Sequence, residues 1–158
     1  MNTFDGAAVR RAGPEDAAGL ARLRLAFRSE RRATTEDPRS FLVRCEDWMT
    51  SRLATDSSWR TWILDRDGDA LGNIWLQVVE KIPNPGDESE RHAYISNFYV
   101  HPDARNTGAG SRLLAAALAE CDALDVDTVF LWPSERSRPL YERHGFSANT
   151  RLLALERR

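Results

Sequence analysis

The chain has 158 residues, which fits one domain spanning 1–158, and its 42% hydrophobic and 29% charged residues are typical of a globular protein with a buried core. A formal net charge of -2 without a block of one sign argues against a general nucleic-acid binder, and no apolar run reaches the roughly 20 residues that span a bilayer. Cys45 and Cys121 share no metal-ligand spacing and no secretory signal precedes them, so we expect free thiols, no metal and a cytoplasmic location.

The first predicted elements are a short strand and a helix. Residues 7–10 form a brief apolar stretch that favours a strand. A helix follows from Pro14, because proline suits a first helical turn, and its apolar residues then recur three and four apart up to Phe27. Arg22, Arg24 and Arg28 fall largely off this apolar stripe, which predicts that they belong to a solvated face.

A second helix is predicted to begin at Asp37 and Pro38. Aspartate caps a helix start, and proline fits the first helical position. Apolar residues then keep helical spacing from residue 41 to residue 53. The same spacing fits a helix that packs into the core and a helix that lines a substrate cleft.

The apolar period changes to that of strands after residue 58. Residues 59–64 and 70–79 are rich in aromatic and β-branched residues and enclose a turn, so they predict a hairpin. The only lysine of the chain, Lys81, begins a proline-bearing loop. A third strand is predicted over residues 94–100.

The last third of the chain alternates helices and strands. We expect a helix with a buried face at 113–121, a strand at 128–132 that is apolar enough to be central, and a short helix at 139–144 closed by Gly145. Residues 151–155 predict a last strand. This order of elements predicts an α/β or α+β fold, in which a sheet carries helices on its faces.

The segment from residue 99 to residue 114 is the most informative one, because a strand leads into a glycine-bearing loop and the loop into a helix. Gly108 and Gly110 let the backbone turn tightly and approach a ligand. The first N–H groups of a helix lack internal partners and favour a phosphate, to which Arg105 and Arg112 offer charge-assisted hydrogen bonds. The loop lacks the Gly-Lys-Ser/Thr end of a P-loop and the third glycine of the dinucleotide fingerprint.

Two segments resemble motifs of the GNAT superfamily of N-acetyltransferases. Residues 105–110, Arg-Asn-Thr-Gly-Ala-Gly, follow a strand that ends at Val100 and are similar to the Arg/Gln-x-x-Gly-x-Gly/Ala motif of that family. Residues 131–146 resemble its later motif, a strand followed by a helix that bears Leu-Tyr and closes in Gly-Phe. The resemblance runs from about Val9 to the end of the chain. It implies a GNAT-like mixed, mostly antiparallel central sheet flanked by helices.

The resemblance also implies that the chain binds acetyl-coenzyme A. In the family the pyrophosphate lies on backbone N–H groups of the motif loop, which here comprises Arg105, Asn106, Thr107, Gly108, Ala109, Gly110 and Ser111. The pantetheine arm pairs like an extra strand with the strand before the loop, here Phe98, Tyr99 and Val100. Ser134 matches a position where the family often has an asparagine that touches pantetheine.

Tyr141 matches the family's tyrosine near the thioester sulfur, where the leaving thiolate requires an acid. The acceptor amine must lose a proton before attack, and no base is fixed by spacing. The candidate side chains for this base are Glu30, Glu46, Glu80 and His92. A water or a backbone carbonyl could relay the proton instead of any of them.

The acceptor is expected to enter between the first two helices and the hairpin. Its path is expected to be lined by Trp48, Trp75, Gln77 and Tyr94. Nearby acids are expected to attract a cation. The implied function is transfer of an acetyl group to a primary amine of a small molecule or peptide by direct attack. A non-catalytic module that senses acyl-coenzyme A and a different nucleotide-binding domain are the alternatives. We expect no nucleic-acid or membrane partner, and a homodimer stays open because dimers are common in such families.

Overall fold

The computed structural model describes residues 6–149 and 151–157. The strands of the described part are β1 (Ala8–Arg11), β2 (Trp59–Arg66), β3 (Asp69–Glu80), β4 (Arg91–Val100) and β5 (Thr128–Phe130). The α-helices are α1 (Ala17–Ser29), α2 (Pro38–Thr55), α3 (Ala109–Ala123) and α4 (Arg138–Arg143), with 3-10 turns at Pro14–Asp16 and Pro102–Ala104. No helix in these two ranges is long and apolar enough to cross a membrane.

The strands form one five-stranded sheet in the order β1-β2-β3-β4-β5. Every neighbouring pair is antiparallel except β4 and β5, which run parallel. This topology confirms the predicted mixed, mostly antiparallel sheet. The parallel pair requires a long crossover, and α3 supplies it.

Alternate residues along the strands build two cores, one on each face of the sheet. On one face, residues such as Ile74 and Leu76 pack with α3 and with Tyr141 of α4. On the other face, Ile63 and Trp75 pack against α1 and α2. The sheet is therefore covered by helices on both faces, as the order of elements predicts.

Local signals in the sequence place the start of α2 correctly, whereas the helix predicted from Pro14 begins with a 3-10 turn and α1 itself starts at Ala17. The Asp37 carboxylate accepts a hydrogen bond of 2.9 Å from the Ser40 amide, and Pro38 occupies the first turn of α2. The burial of α2 is nevertheless slight, since Met49 is its one buried residue in the described part of the chain. The alternative in which this helix lines a cleft therefore fits better than the alternative of a core helix.

The strand predicted to be central is an edge strand. β5 pairs over three residues only, and Trp132 beyond it is 63% exposed. Pro133 follows directly and has no N–H to continue a ladder, so the apolar run is longer than the paired strand. The Asp127 carboxylate before β5 contacts Lys81 Nζ at 2.5 Å and His92 Nδ1 at 2.9 Å, which fastens this edge to the ends of β3 and β4.

The strand predicted over residues 151–155 is absent from the structure. Residues 152–157 have no regular structure, and Leu152, Leu153 and Leu155 are 56%, 93% and 79% exposed. Strand-forming composition supplies no pairing partner, and within the described residues no strand lies beside this segment. The prediction of a last strand is therefore wrong.

Candidate active site

The parallel pair β4 and β5 separates towards the carboxyl end of β4 and opens a cavity. Pairing ends at Tyr94 opposite Phe130, so the edge of residues 95–100 that faces β5 has no strand partner in the described part. A cavity of about 1240 Å³ lies at this opening, and α1, α2, β4 and the segment around α4 all contribute to its wall. The opening therefore exposes strand backbone inside a large cleft.

A bulge in β4 lies within this opening. Asn73 of β3 pairs with Tyr99 and Trp75 pairs with Ser96, so two residues of β4 stand opposite one residue of β3. One of these two, Asn97, has a positive φ of 45°. A bulge bends the strand and turns its backbone groups away from the regular ladder, which gives β4 polar groups that face the cavity.

The predicted phosphate loop follows β4 and ends at the start of α3. Gly108 precedes the helix with φ 83°, and Asn106 has φ 61°. The backbone amides of Asn106, Thr107 and Gly108 make no hydrogen bond to any described residue, and the first bond of α3 joins the Arg112 amide to the Gly108 carbonyl at 3.1 Å. Several adjacent N–H groups are therefore available to an anion.

Gly110 has a packing role that the sequence does not reveal. A Cβ at this position would lie 3.3 Å from Leu140 Cδ2 and 3.8 Å from Phe98 Cζ. The missing side chain therefore lets the start of α3 approach α4 and β4, which brings the loop to the mouth of the cavity.

The side chain of Arg105 is engaged inside the protein. Its Nη2 contacts the Glu30 carboxylate at 2.8 and 3.0 Å, and its Nε donates to the Val100 carbonyl at 2.9 Å. The Tyr99 hydroxyl donates to the same carboxylate at 2.6 Å, and this bond, with Arg105, lowers the pKa of Glu30. Arg112 is engaged too, since its Nη2 donates to the Ala7 carbonyl at 2.9 Å. The loop therefore offers its amides to an anion, while both guanidinium groups already have partners.

Tyr141 lies in the cavity wall and is 7% exposed. Its ring packs edge-on against Phe98 and Phe146, with centroid distances of 6.1 and 5.6 Å. Burial raises the pKa of Tyr141 to about 12, so the phenol is protonated at neutral pH. Its hydroxyl has no hydrogen-bond partner among the described residues, which leaves it free to donate to a ligand.

Ser134 also lines the cavity, but its hydroxyl is already paired. Its Oγ lies 2.9 Å from the Ser137 Oγ, and its amide donates to that same oxygen at 3.0 Å. The two serines hold the chain at the start of α4 in a compact turn. Contact between the Ser134 side chain and a ligand would require the hydroxyl to share this bond.

The acceptor side of the cavity differs from the sequence-based expectation. Trp48, Trp75 and Tyr94 line the cavity as predicted, whereas Gln77 does not. The acids expected to attract a cation are absent from the described lining, with Glu30 as the exception. Among the other candidate bases, Glu46, Glu80 and His92 all lie outside the lining.

Arginines take the place of the expected acids. The lining contains Arg24, Arg28, Arg31, Arg44, Arg105 and Arg136. The apolar pattern predicts that Arg22, Arg24 and Arg28 of α1 face solvent, whereas Arg24 and Arg28 line the cavity. The signal that identifies them is the spacing of four residues between Arg24 and Arg28, which places them on one side of α1, and Arg31 lies just beyond the end of that helix.

Comparison with known proteins identifies the family of the chain. Residues 21–146 match the model of the Acetyltransferase (GNAT) family. The chain is 29% identical over 150 residues to the uncharacterized N-acetyltransferase YhfO of Bacillus subtilis (strain 168), covering 90% of this chain and 91% of that protein.

Solved structures give the same fold. A GCN5-related N-acetyltransferase from Ralstonia eutropha JMP134 superposes with a TM-score of 0.77 and 30% identity over 96% of this chain and 99% of that one. A predicted acetyltransferase from Clostridium acetobutylicum, solved with acetyl-CoA, superposes with a TM-score of 0.78 and 20% identity, covering 95% of this chain and 96% of its own. From the family match, the relatives and the shared architecture, we conclude that the chain belongs to the GNAT family of acetyltransferases.

Proposed function

We propose that the protein transfers the acetyl group of acetyl-CoA to a primary amine by direct attack of the amine on the thioester. The observation that carries this proposal is the opening between β4 and β5, which exposes strand backbone beside the free amides of the Gly108 loop. An extended arm that contains amides can add to such a strand edge, and a pyrophosphate suits the amides at a helix start. The pantetheine arm would lie along Phe98, Tyr99 and Val100.

The loop from Arg105 to Ser111 would receive the pyrophosphate through its backbone, because the side chain of Arg105 is held by Glu30. Ser134 lines the cavity between this loop and α4 and would flank the arm. Acetyl-CoA supplies an acetyl group that is activated as a thioester. N–H groups of the β4 bulge would donate to the acetyl carbonyl oxygen as negative charge develops on it.

Tyr141 would donate a hydrogen bond to the departing sulfur. Complete proton transfer from a phenol of pKa about 12 to a thiolate whose thiol has a pKa of about 8.5 is uphill by about 5 kcal/mol. We therefore propose that Tyr141 stabilises the thiolate through a hydrogen bond, rather than through full protonation.

The two cysteines support direct attack over a route through an acetylated enzyme. Cys45 lines the cavity, but burial raises the pKa of its thiol. Cys121 is 3% exposed in the core, and burial raises its pKa to about 11. Neither thiol is ionised at neutral pH, so neither is an active nucleophile. Glu30 is a weak base because its pKa is lowered, and we propose that the amine proton leaves through water in the open cavity.

Calorimetric titration with acetyl-CoA, dephospho-CoA and NAD, followed by thiol release with a panel of amines, tests this function. We expect selective binding of acetyl-CoA and amine-dependent release of thiol. Binding without turnover of any amine would instead support the module that senses acyl-CoA. Absence of acetyl-CoA binding, with and without amines, would contradict the proposal.

A further inference from the structure

We propose that the acceptor amine carries an oxyanion close to its amino group, and that Arg24 binds this oxyanion. The proposal rests on the proposed function of the same site and names its class of substrate. Carboxylate and phosphonate groups share the required chemistry, because a guanidinium pairs with either through two parallel hydrogen bonds.

The balance of charge in the cavity is the first argument. Arg105 is paired with Glu30 at 2.8 Å, and Arg44 is paired with Glu36 at 2.6 Å. The other arginines of the lining are Arg24, Arg28, Arg31 and Arg136. No carboxylate of residues 6–149 and 151–157 lies within ion-pair distance of any of these four. A cavity with this excess of positive charge repels a cation and attracts an anion.

These arginines fall into two groups by position. Arg31 exerts its charge on Tyr141, and Arg136 exerts its charge on Glu30 and Tyr99, so both lie towards the proposed cofactor arm. Arg24 lies elsewhere: its charge acts on Cys45 of α2 and Tyr94 of β4. Arg24, together with Arg28 whose charge acts on it, therefore lies on the side of the cavity formed by α2 and β4, where the acceptor is expected.

Arg24 reaches the bulge of β4. Its Nη1 donates to the Asn97 Oδ1 at 3.2 Å, which holds the guanidinium beside the strand residues proposed to receive the acetyl group. An anion bound by the remaining N–H groups of Arg24 would therefore lie near the reacting amine. This places the oxyanion within a few bonds of the amino group, as in an α-amino acid.

The environment of Arg24 makes an anion favourable. The side chain is half-buried, and burial together with the nearby charge of Arg28 lowers its pKa. An arginine keeps its proton under such conditions, so a charged guanidinium lies in a partly desolvated position with no carboxylate partner among the described residues. A carboxylate from the acceptor would relieve this unfavourable state.

Next to this charge lies an aromatic surface. Trp48, Trp59 and Trp75 contact one another with centroid distances of 5.2, 6.0 and 6.1 Å, and all three line the cavity. The indole N–H of Trp75 is buried without a hydrogen-bond partner. The surface suits an apolar or aromatic side chain. Together with Arg24 it fits an α-amino acid with a large apolar side chain.

The test compares the common α-amino acids with their α-amides as acceptors, by thiol release. The amide keeps the amine and side chain and removes only the negative charge, and its lower amine pKa gives it more free amine. We nevertheless expect kcat/KM to be higher for the acid by about tenfold or more. Matching 1-aminoalkylphosphonates show which oxyanion is preferred.

Variants assign this preference to Arg24. Arg24→Gln, which retains a donor for Asn97, should reduce the acid-to-amide ratio about 10- to 100-fold through KM of the acid. Arg24→Lys should retain part of the ratio. Arg22→Gln, on the exposed side of the same helix, should leave it unchanged. Acetyl-CoA binding by calorimetry should be the same in all four proteins, which separates acceptor recognition from loss of folding.

Equal use of acid and amide by the unaltered protein, or an unchanged ratio in Arg24→Gln, would overturn the proposal while leaving the transferase intact. If no α-amino acid is turned over, titration of the acids and amides in the presence of coenzyme A, followed by tryptophan fluorescence, decides the question. Binding of the acids but not the amides supports the oxyanion site, and equal or absent binding overturns it. Failure to bind acetyl-CoA would contradict the proposed function itself.

Discussion

Removal of the Tyr141 hydroxyl tests whether this buried phenol acts on the leaving sulfur. Tyr141→Phe removes one oxygen and keeps the ring contacts with Phe98 and Phe146. We expect kcat to fall about 10- to 100-fold, because a hydrogen bond to a developing charge is lost, with Kd for acetyl-CoA changed less than about twofold. Steady-state kinetics and calorimetry measure the two quantities. Tyr94→Phe, the same change elsewhere in the cavity, should retain kcat.

The pH profile supplies a second check on Tyr141. Since burial raises its pKa to about 12, the phenol keeps its proton throughout the neutral and mildly alkaline range. The rate should therefore show no decline due to this group below about pH 11. A decline centred near pH 10 that disappears in Tyr141→Phe would show that the phenol titrates normally and is not buried during turnover.

The sequence reveals some of these residues and hides others for a physical reason. Tyr141 and the Gly108 loop lie within motifs, so local spacing is enough to find them. Arg24 lies in no motif, and a helical pattern separates only apolar from polar positions. Whether a polar position meets water or a cleft depends on where β4 and β5 separate, which is a property of distant segments.

The start of α3 depends on one backbone conformation, and a matched pair of glycines isolates its role. Gly108 and Gly68 both have positive φ, at 83° and 90°, and a Cβ at either would meet no atom within 4 Å. Alanine at either position should lower the free energy of unfolding by about 1–2 kcal/mol through backbone strain. Gly68 lies in the β2–β3 turn, outside the loop that precedes α3.

Only the Gly108→Ala variant should also weaken binding of acetyl-CoA, by about tenfold, because the loop must rearrange its free amides. Denaturant unfolding and calorimetry on both variants distinguish loss of stability from loss of the site. Equal cofactor affinity in the two variants would show that the pyrophosphate does not depend on this loop.

Element boundaries were predictable where a local signal fixes them. Asp37 and Pro38 mark the start of α2, and the turn before β3 marks the hairpin. The strand β5 was predicted, but its expected central position and the strand at residues 151–155 were wrong, because an apolar, strand-like run does not specify its neighbours. Pairing is decided by which strand edge lies within reach, and no pattern within a short segment records that.

The two cores differ in how firmly they hold their helices. α3 has five buried residues, whereas α2 has Met49 as its one buried residue within the described part. We expect amides of α2 to exchange with solvent about tenfold faster or more than those of α3, because fewer apolar contacts resist local opening. Hydrogen exchange measured by mass spectrometry tests this, with β3 as the protected reference.

Binding of the acceptor should slow exchange in α2, since this helix forms one wall of the cavity. Equal exchange of α2 and α3 in the free protein would indicate that both layers open together. In that case the cleft would be as rigid on its acceptor side as on its cofactor side.

The ion pair of Lys81 with Asp127 has a practical consequence for studying an acetyl donor in solution. Lys81 is the only side-chain amine of the chain, and its ammonium contacts a carboxylate at 2.5 Å at the edge of the sheet. Arginine supplies the rest of the fixed positive charge and is a poor acyl acceptor. Acetylation of side-chain amines during turnover can therefore be followed by intact mass with little background, because it is confined to a single, already engaged nitrogen.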